Sequence, residues 1–148
     1  MNKVEDYRYL LIPLLTLVLC QVVKFAVESI INKKILWGRL INGSGGMPSS
    51  HTSFSTALTM TLGLNLGFYS PLFALSLVFT LIVAYDSMGL RMESGLQAEA
   101  INKLFDEIYK DENINKLKEQ LGHKPKEVLA GLILGTLSAL FFTYVVFI

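Results

Sequence analysis

The last segment of the sequence, Val128–Ile148 (VLAGLILGTLSALFFTYVVFI), contains no charged residue. A helix needs roughly 20 mostly apolar residues to cross the hydrocarbon core of a bilayer, and this segment is long enough. Tyr9–Ile31 is a second long apolar run, and the shorter runs Phe54–Leu66 and Pro71–Tyr85 are uncharged. Four such runs in so short a chain leave too little polar surface for a soluble core. The sequence therefore predicts four transmembrane helices.

The composition of the whole chain points the same way. Of 148 residues, 52% are hydrophobic and 17% are charged, whereas soluble domains average about 25% charged residues. The net charge is +1 and no basic cluster with interleaved aromatic residues occurs, which argues against a nucleic acid partner. We expect a single domain that is an all-α integral membrane helical bundle. Its transmembrane helices are expected at about 8–32, 48–67, 71–91 and 126–147.

Small residues recur at four-residue spacing on two of the helices, which lets helix backbones approach closely in lipid. They are Gly63 and Gly67 on one helix, and Gly131, Gly135 and Ala139 on the other. Pairing of this small bundle into a homodimer or higher homo-oligomer through such faces stays open. The single cysteine, Cys20, cannot form an internal disulfide or a zinc site, so we expect it to pack between helices.

A polar insert at about 92–124 separates the third and fourth spans. Its main apolar stripe recurs at i, i+3, i+4 and i+7 and consists of Ile101, Leu104, Phe105 and Ile108. A weaker helical repeat consists of Ile114, Leu117 and Leu121. The pattern predicts amphipathic helices at the membrane surface or over the mouth of the bundle. A solvated linker is the alternative.

The order of the spans brings distant residues to one end of the bundle. The second helix begins beside His51, the third returns near Arg91 and the fourth leaves near His123. Lys24 lies near the same end of the first helix, so both histidines meet two cations there. All but two of the 13 Lys and Arg residues lie on this side, which the positive-inside rule places in the cytoplasm.

The stretch Gly45–Ser53 (GGMPSSHTS) has the composition of an anion site at the start of the second helix. Pro48 suits the first helical position, and the amides that follow would be unpaired and point outward, as anion-binding helix N-termini do. Gly46 permits close approach of a ligand. The donors would be Ser49, Ser50 and His51, and the imidazole is placed to protonate a leaving oxygen. An ordinary glycine turn with a serine cap is the alternative.

Charged residues of the first and third spans add to this predicted site. Lys24 either reaches a phosphate oxygen or extends to the membrane surface with Glu28 as its partner. Arg91 suits bidentate binding of phosphate. Asp86 is a supporting residue that orients a cation or binds a metal, and simple pairing with a nearby base is the alternative. A metal-dependent hydrolase would use Asp86, Glu93 and His123, a spacing that makes this reading the weakest.

His123 and Glu127 in the stretch GHKPKEV are four residues apart. On a continuous helix the carboxylate would hold the imidazole in one tautomer and stabilise its charged form, leaving His123 as a nucleophile toward phosphorus. If Pro125 begins the helix, Glu127 is its third residue and caps the helix instead.

Three stretches, GGMPSSH, DSMGLRMESGLQAEAIN and LGHKPKEVLAG, resemble the signature blocks of the divergent type-2 phosphatidic acid phosphatases, also described as acid phosphatase/vanadium-dependent haloperoxidase-related proteins. The wider superfamily has the motifs K-x6-R-P, P-S-G-H and S-R-x5-H-x3-D, needs no metal or other cofactor, and forms a phosphohistidine intermediate. Lys24 resembles the lysine of the first motif and Arg91 the arginine of the third. PSSH at 48–51 is similar to the second motif, with Ser50 in place of glycine.

The resemblance implies that His123 is the nucleophile, that Glu127 replaces the aspartate of H-x3-D, and that His51 protonates the leaving group. The chain departs from the pattern in three ways: the nearest arginine after Lys24 is Arg39 with no proline behind it, a long insert precedes His123, and four spans replace six. The resemblance implies a membrane phosphatase acting on a lipid phosphate or isoprenoid diphosphate in lipid metabolism. The alternative is a non-catalytic membrane module or assembly subunit that binds a lipid headgroup.

Overall fold

The computed structural model describes residues 3–35, 46–108, 115–119 and 121–147, with side chains described from Tyr7 onward. The helices are α1 (Lys3–Asn32), α2 (Ser50–Leu66), α3 (Pro71–Met88), α4 (Leu90–Ile108) and α5 (Pro125–Phe141), and a π-helical turn, Phe142–Val146, continues α5. These described ranges contain no β-strand. The predicted all-α membrane bundle is therefore confirmed.

Three helical segments are long and apolar enough to cross a membrane: Tyr7–Asn32, Pro71–Ile108 and Pro125–Val146. Their apolar side chains are widely exposed, as a lipid-facing surface requires; Val18, Ile82 and Leu137 are 62%, 61% and 59% exposed. The remaining predicted span corresponds to α2, which has 17 residues and packs against α1, α3 and α5. It is slightly shorter than the roughly 20 residues of a full span.

The buried face of α2 consists mainly of small hydroxyl residues. They are Ser50, Thr52, Ser53, Ser55, Thr56, Thr59 and Thr61. Several hydroxyls donate to a carbonyl of their own helix, and those of Thr59 and Thr80 lie 2.9 Å apart, which joins α2 to α3. Small side chains and hydrogen bonds of this kind hold helices together in lipid, where burial of apolar area no longer drives association.

The glycines at four-residue spacing have different structural roles on the two helices. On α5, Gly131 and Gly135 pack directly on α2: a Cβ at Gly131 would lie 2.8 Å from the Ser49 carbonyl oxygen. The predicted close approach is confirmed for this pair. It is wrong for Gly63 and Gly67. Gly63 makes room for two phenylalanine rings, and Gly67, with φ of +92°, ends α2.

Cys20 of α1 is fully buried against the start of α2, so it packs between helices as expected. Its thiol lies 3.6 Å from the Pro48 carbonyl oxygen, and the Ser53 hydroxyl lies 3.7 Å from its sulfur.

The polar insert is only partly helical. Its first part is α4, on which Ile101, Leu104 and Ile108 are exposed, as an amphipathic helix at a membrane surface requires. The predicted second amphipathic helix is wrong for residues 115–119, which are not helical, and Ile114 lies outside the described residues. We call residues 115–119 and 121–123 the return segment, because it leads back along α4 to the start of α5.

Candidate anion site at one end of the bundle

The structure brings together Lys24, His51, Arg91 and His123, which we call the site cluster. The charges of Lys24 and Arg91 act on both imidazoles, and His51 also acts on His123. Four different elements supply these residues: α1, α2, α4 and the return segment. Lys24 is only 5% exposed, so its ammonium is buried in the bundle and does not extend to the surface.

The start of α2 differs from its prediction by two residues. Ser49 is the N-cap and Ser50 the first helical residue, so the expectation that Pro48 begins the helix is wrong. The Ser49 amide also is not available to an anion, because it donates to the Glu127 carbonyl at 2.9 Å. The Ser49 hydroxyl accepts from the Thr52 hydroxyl at 2.9 Å and, more weakly, from the Thr52 amide at 3.5 Å.

Ser50 and His51 retain the features of anion donors. Their backbone amides are in the first turn of α2, where the helix has no carbonyl one turn back to accept from them. The Ser50 side chain is 7% exposed, and its hydroxyl has no hydrogen-bond partner within the described residues. The His51 side chain is exposed. The helix start therefore offers two amides, a hydroxyl and an accessible imidazole.

Arg91 and Asp86 form an ion pair, with Nε of the guanidinium 2.7 Å from a carboxylate oxygen. The arginine side chain is 47% exposed and the aspartate 32% exposed. Asp86 therefore orients Arg91 by pairing with its Nε. The two terminal nitrogens of the guanidinium are left for bidentate binding of a phosphate.

His123 is 5% exposed and is held by its backbone, whose N–H donates to the Ser87 carbonyl at 2.9 Å. Neither ring nitrogen has a hydrogen-bond partner within the described residues. Burial and the charge of Lys24 hold the pKa of His123 below 6.5; the Glu127 carboxylate acts in the opposite direction, and His51 and Arg91 lower the pKa further. The imidazole is therefore buried, mainly neutral at pH 7 and without a hydrogen bond to any described residue.

Glu127 caps α5. Its carboxylate accepts the Lys124 amide at 3.2 Å, and α5 begins at Pro125, which is the alternative that the sequence left open. The predicted hydrogen bond from His123 to Glu127 is not formed, since both ring nitrogens lack a partner. The carboxylate nevertheless lies close enough to act electrostatically on the imidazole.

Gly46 has a φ of +82° and packs against the Glu28 carboxylate. It lines a cavity of about 370 Å³ together with Glu99, Glu119 and Glu127. Lys124 also lines this cavity, so three carboxylates face one ammonium there. This excess of negative charge disfavours a phosphate, and contact of Gly46 with substrate stays a prediction. Arg39 lies outside the described residues.

A lateral groove of about 470 Å³ opens beside the site cluster, between α1, α2 and α3. At one side it is lined by Ser50 and His51, and elsewhere mainly by apolar residues. These are Leu14, Leu17, Phe54, Phe79 and Val83, with Gln21 and Ser55 as polar members. Sequence reasoning found Ser50 and His51 but missed the apolar residues that line the groove. The available signal was that Gln21 shares a helix face with Lys24.

The metal-dependent alternative lacks a ligand set. Within the described residues, no three His, Cys, Asp or Glu side chains come together in an arrangement that could hold a metal ion. Asp86, which this alternative requires, is engaged by Arg91.

The sequence profile of the divergent PAP2 family matches residues 6–138 of this chain. The chain belongs to the divergent PAP2 family. It is similar to an uncharacterized membrane protein, YuiD, of Bacillus subtilis (strain 168), with 38% identity over 148 aligned positions that cover 91% of this chain and 93% of that protein. No solved structure matches the chain. The family match spans the whole site cluster, from Lys24 to His123.

Proposed function

We propose that this membrane protein is a phosphatase that hydrolyses a lipid phosphate or an isoprenoid diphosphate through a phosphohistidine. The observation that carries the proposal is the state of His123. Its imidazole is 5% exposed and lies beside two cations, and neither ring nitrogen has a hydrogen-bond partner in the part of the chain that the structure describes. Buried polar groups without partners are rare and need an explanation. A phosphoryl group that binds between the imidazole and the cations would explain why the two ring nitrogens are held there.

In the first step, a ring nitrogen of His123 attacks phosphorus in line with the leaving oxygen. The N–P bond forms, the P–O bond to the lipid breaks, and protonated His51 gives its proton to the leaving oxygen. Lys24, Arg91 and the amides at the start of α2 stabilise the charge on the other phosphoryl oxygens. The lowered pKa of His123 supports this role, because only the neutral ring has a free lone pair.

In the second step, water replaces the lipid product. His51, now neutral, accepts a proton from the water as its oxygen attacks phosphorus. The N–P bond breaks, inorganic phosphate is released, and His51 is protonated again for the next turnover.

The lateral groove supports a lipid rather than a water-soluble phosphate as substrate. Its apolar lining ends at Ser50 and His51, so an acyl or isoprenoid chain lying in it would place its phosphate next to the site cluster. Because the groove runs between helices of the bundle, such a substrate would enter sideways from the bilayer.

The test is phosphate release by the purified protein from a panel of phosphatidic acid, phosphatidylglycerol phosphate and isoprenoid diphosphates. We expect His123→Ala to lower turnover at least about a thousandfold, and His51→Ala to lower it by about 10²- to 10⁴-fold. Lys126→Ala, a change at an exposed residue near the same end, is the control and should leave turnover unchanged. Full activity in either histidine variant would rule out this mechanism.

One observation favours a second function, a non-catalytic module that binds a lipid headgroup. Glu127 caps α5 and does not hold His123, so the imidazole lacks the orienting hydrogen bond that the motif implies. This function predicts headgroup binding that survives His123→Ala and no phosphohistidine on the wild-type protein. Trapping with ³²P-labelled lipid followed by alkaline gel electrophoresis separates the two functions.

A further inference from the structure

The return segment is fixed to α4 by one buried side chain, Asn102. This residue is 3% exposed. Its amide nitrogen donates to the Leu117 carbonyl at 2.9 Å, and its oxygen accepts the Leu117 N–H at 2.9 Å. The same nitrogen donates to a Glu119 carboxylate oxygen at 2.8 Å. The side chain thus pairs with Leu117 as a neighbouring β-strand would, although residues 115–119 have no regular secondary structure.

Two glycines let the return segment lie directly on α4. Gly95 of α4 contacts the Glu119 carbonyl so closely that a Cβ would collide with it. At Gly122, a Cβ would lie 2.5 Å from the Met92 Cα. Any side chain at either position would lift the segment from the helix.

These contacts follow one direction along the chain. Leu117 lies beside Asn102, Glu119 beside Gly95, and Gly122 beside Met92. The last contact is the bond from the His123 amide to the Ser87 carbonyl. The return segment therefore runs antiparallel to α4 and ends with His123 at the site cluster. Its register on α4 is set at the far end by the two hydrogen bonds between Asn102 and Leu117, since the glycines only permit close approach, and the His123–Ser87 bond ties the near end to α3.

We propose that Asn102 is a positioning residue for His123. It fixes the register of the return segment on α4 and so holds the imidazole, six residues beyond Leu117, in its buried place beside Lys24. The effect on turnover rests on the proposed phosphatase function, whereas the effect on the imidazole does not.

The experiment compares Asn102→Ala with Asn115→Ala, which changes an exposed asparagine on the same segment. Misplacement of a catalytic group by about 1 Å costs about 100-fold, so we expect kcat of Asn102→Ala to fall about 10- to 100-fold. KM should change little, because the lateral groove is untouched. Asn115→Ala should match the wild type in both constants. Equal kcat values for both variants and the wild type would overturn the proposal.

A second measurement follows the imidazole without any substrate. The chain has two histidines, so ¹⁵N-histidine NMR gives two ring signals, assigned with His51→Gln. In the wild type the His123 ring faces Lys24, Arg91, His51 and Glu127. In Asn102→Ala the ring should become accessible to water and its pKa should rise toward 6.5, and in Asn115→Ala it should not. If the pKa of His123 rises in Asn102→Ala although the wild type releases no phosphate, the phosphatase proposal fails and the positioning role stands. If the His123 ring signals titrate in Asn102→Ala as they do in the wild type, the positioning role is refuted.

A third measurement needs no variant, in case Asn102→Ala does not fold. Residue-resolved hydrogen exchange on the wild type compares the Leu117 amide with the amides of Lys116 and Lys118. Leu117 should exchange more slowly than both, because its N–H is bonded to a buried side chain. Exchange of Leu117 at the rate of its neighbours would show that the Asn102 contact is not formed and would overturn the proposal.

Discussion

His123 is neutral and buried in the folded protein, which links folding to pH. Its pKa is below 6.5 in the folded state, so the unfolded chain takes up a proton more readily. The resulting contribution to stability is fully present above pH 6.5 and is lost as pH falls through the pKa of the folded state. Each kcal/mol lost lowers Tm by roughly 2–4 °C in a chain of this size.

We therefore expect Tm in detergent, measured between pH 8 and pH 5, to fall further for the wild type than for His123→Gln, which has no titrating group at this position. The difference between the two proteins should be constant above pH 7 and should change as pH drops below 6.5. Parallel curves over the whole range would show that His123 titrates normally and is not buried.

Whether the role of a single residue could be predicted from the sequence depended on how far its position follows from the topology of the helices. The meeting of Lys24, His51, Arg91 and His123 requires only that four helix ends lie on one side. The roles of Pro48 and Glu127, in contrast, depend on which exact residue begins a helix. The bond from the Ser49 amide to the Glu127 carbonyl sets these starts, and it joins two segments that are far apart in sequence.

The packing of α5 on α2 connects an element to the site. Gly135 lies so close to α2 that a Cβ would be 2.5 Å from the Ser53 carbonyl oxygen and 2.8 Å from the Thr56 Cβ. Both contacts are with the backbone or the root of a side chain, so neither can move away cheaply. Overpacking of this kind costs about 1–3 kcal/mol.

We expect Gly135→Ala to lower the Tm of the detergent-purified protein, since α5 must move away from α2. The change also strains the bond from the Ser49 amide to the Glu127 carbonyl, so any phosphatase activity should fall with it. Leu137→Ala removes a side chain that is 59% exposed on the lipid-facing side of α5 and should leave Tm nearly unchanged. An equal loss in both variants would mean that the α2–α5 contact is not specially tight.

At the element scale, the long apolar helices could be predicted because their composition alone places them in lipid. The return segment could not be predicted in this way. Leu117 and Leu121 have a helical spacing, but the conformation of the segment depends on its contact with Asn102. A buried asparagine that pairs with the backbone of Leu117 replaces the hydrogen bonds that a helix would make. The hydroxyl-rich face of α2 also has no apolar periodicity, because helices in lipid pack through small residues.

For the whole molecule, the two ends of the bundle differ in charge and in structure. The end with the site cluster carries α4 and the return segment, whereas the other end has the short turn between α2 and α3 and a hydrogen bond from Arg8 to Asn65 at 2.7 Å. The Gly131 and Gly135 face is filled by α2 within one chain. A homo-oligomer would therefore have to use another surface than these glycines.

The charge difference between the two ends predicts that the site cluster lies on the cytoplasmic side. Single introduced cysteines test this, because Cys20 is fully buried and should react little. Tyr69 is fully exposed in the α2–α3 turn and Lys118 is exposed on the return segment. In intact cells, a membrane-impermeant maleimide should label Tyr69→Cys and not Lys118→Cys, and permeabilised cells should label both, with the unsubstituted chain as the background. The opposite pattern would place the site cluster outside the cell, and a phosphatase there would act on lipids of the outer leaflet.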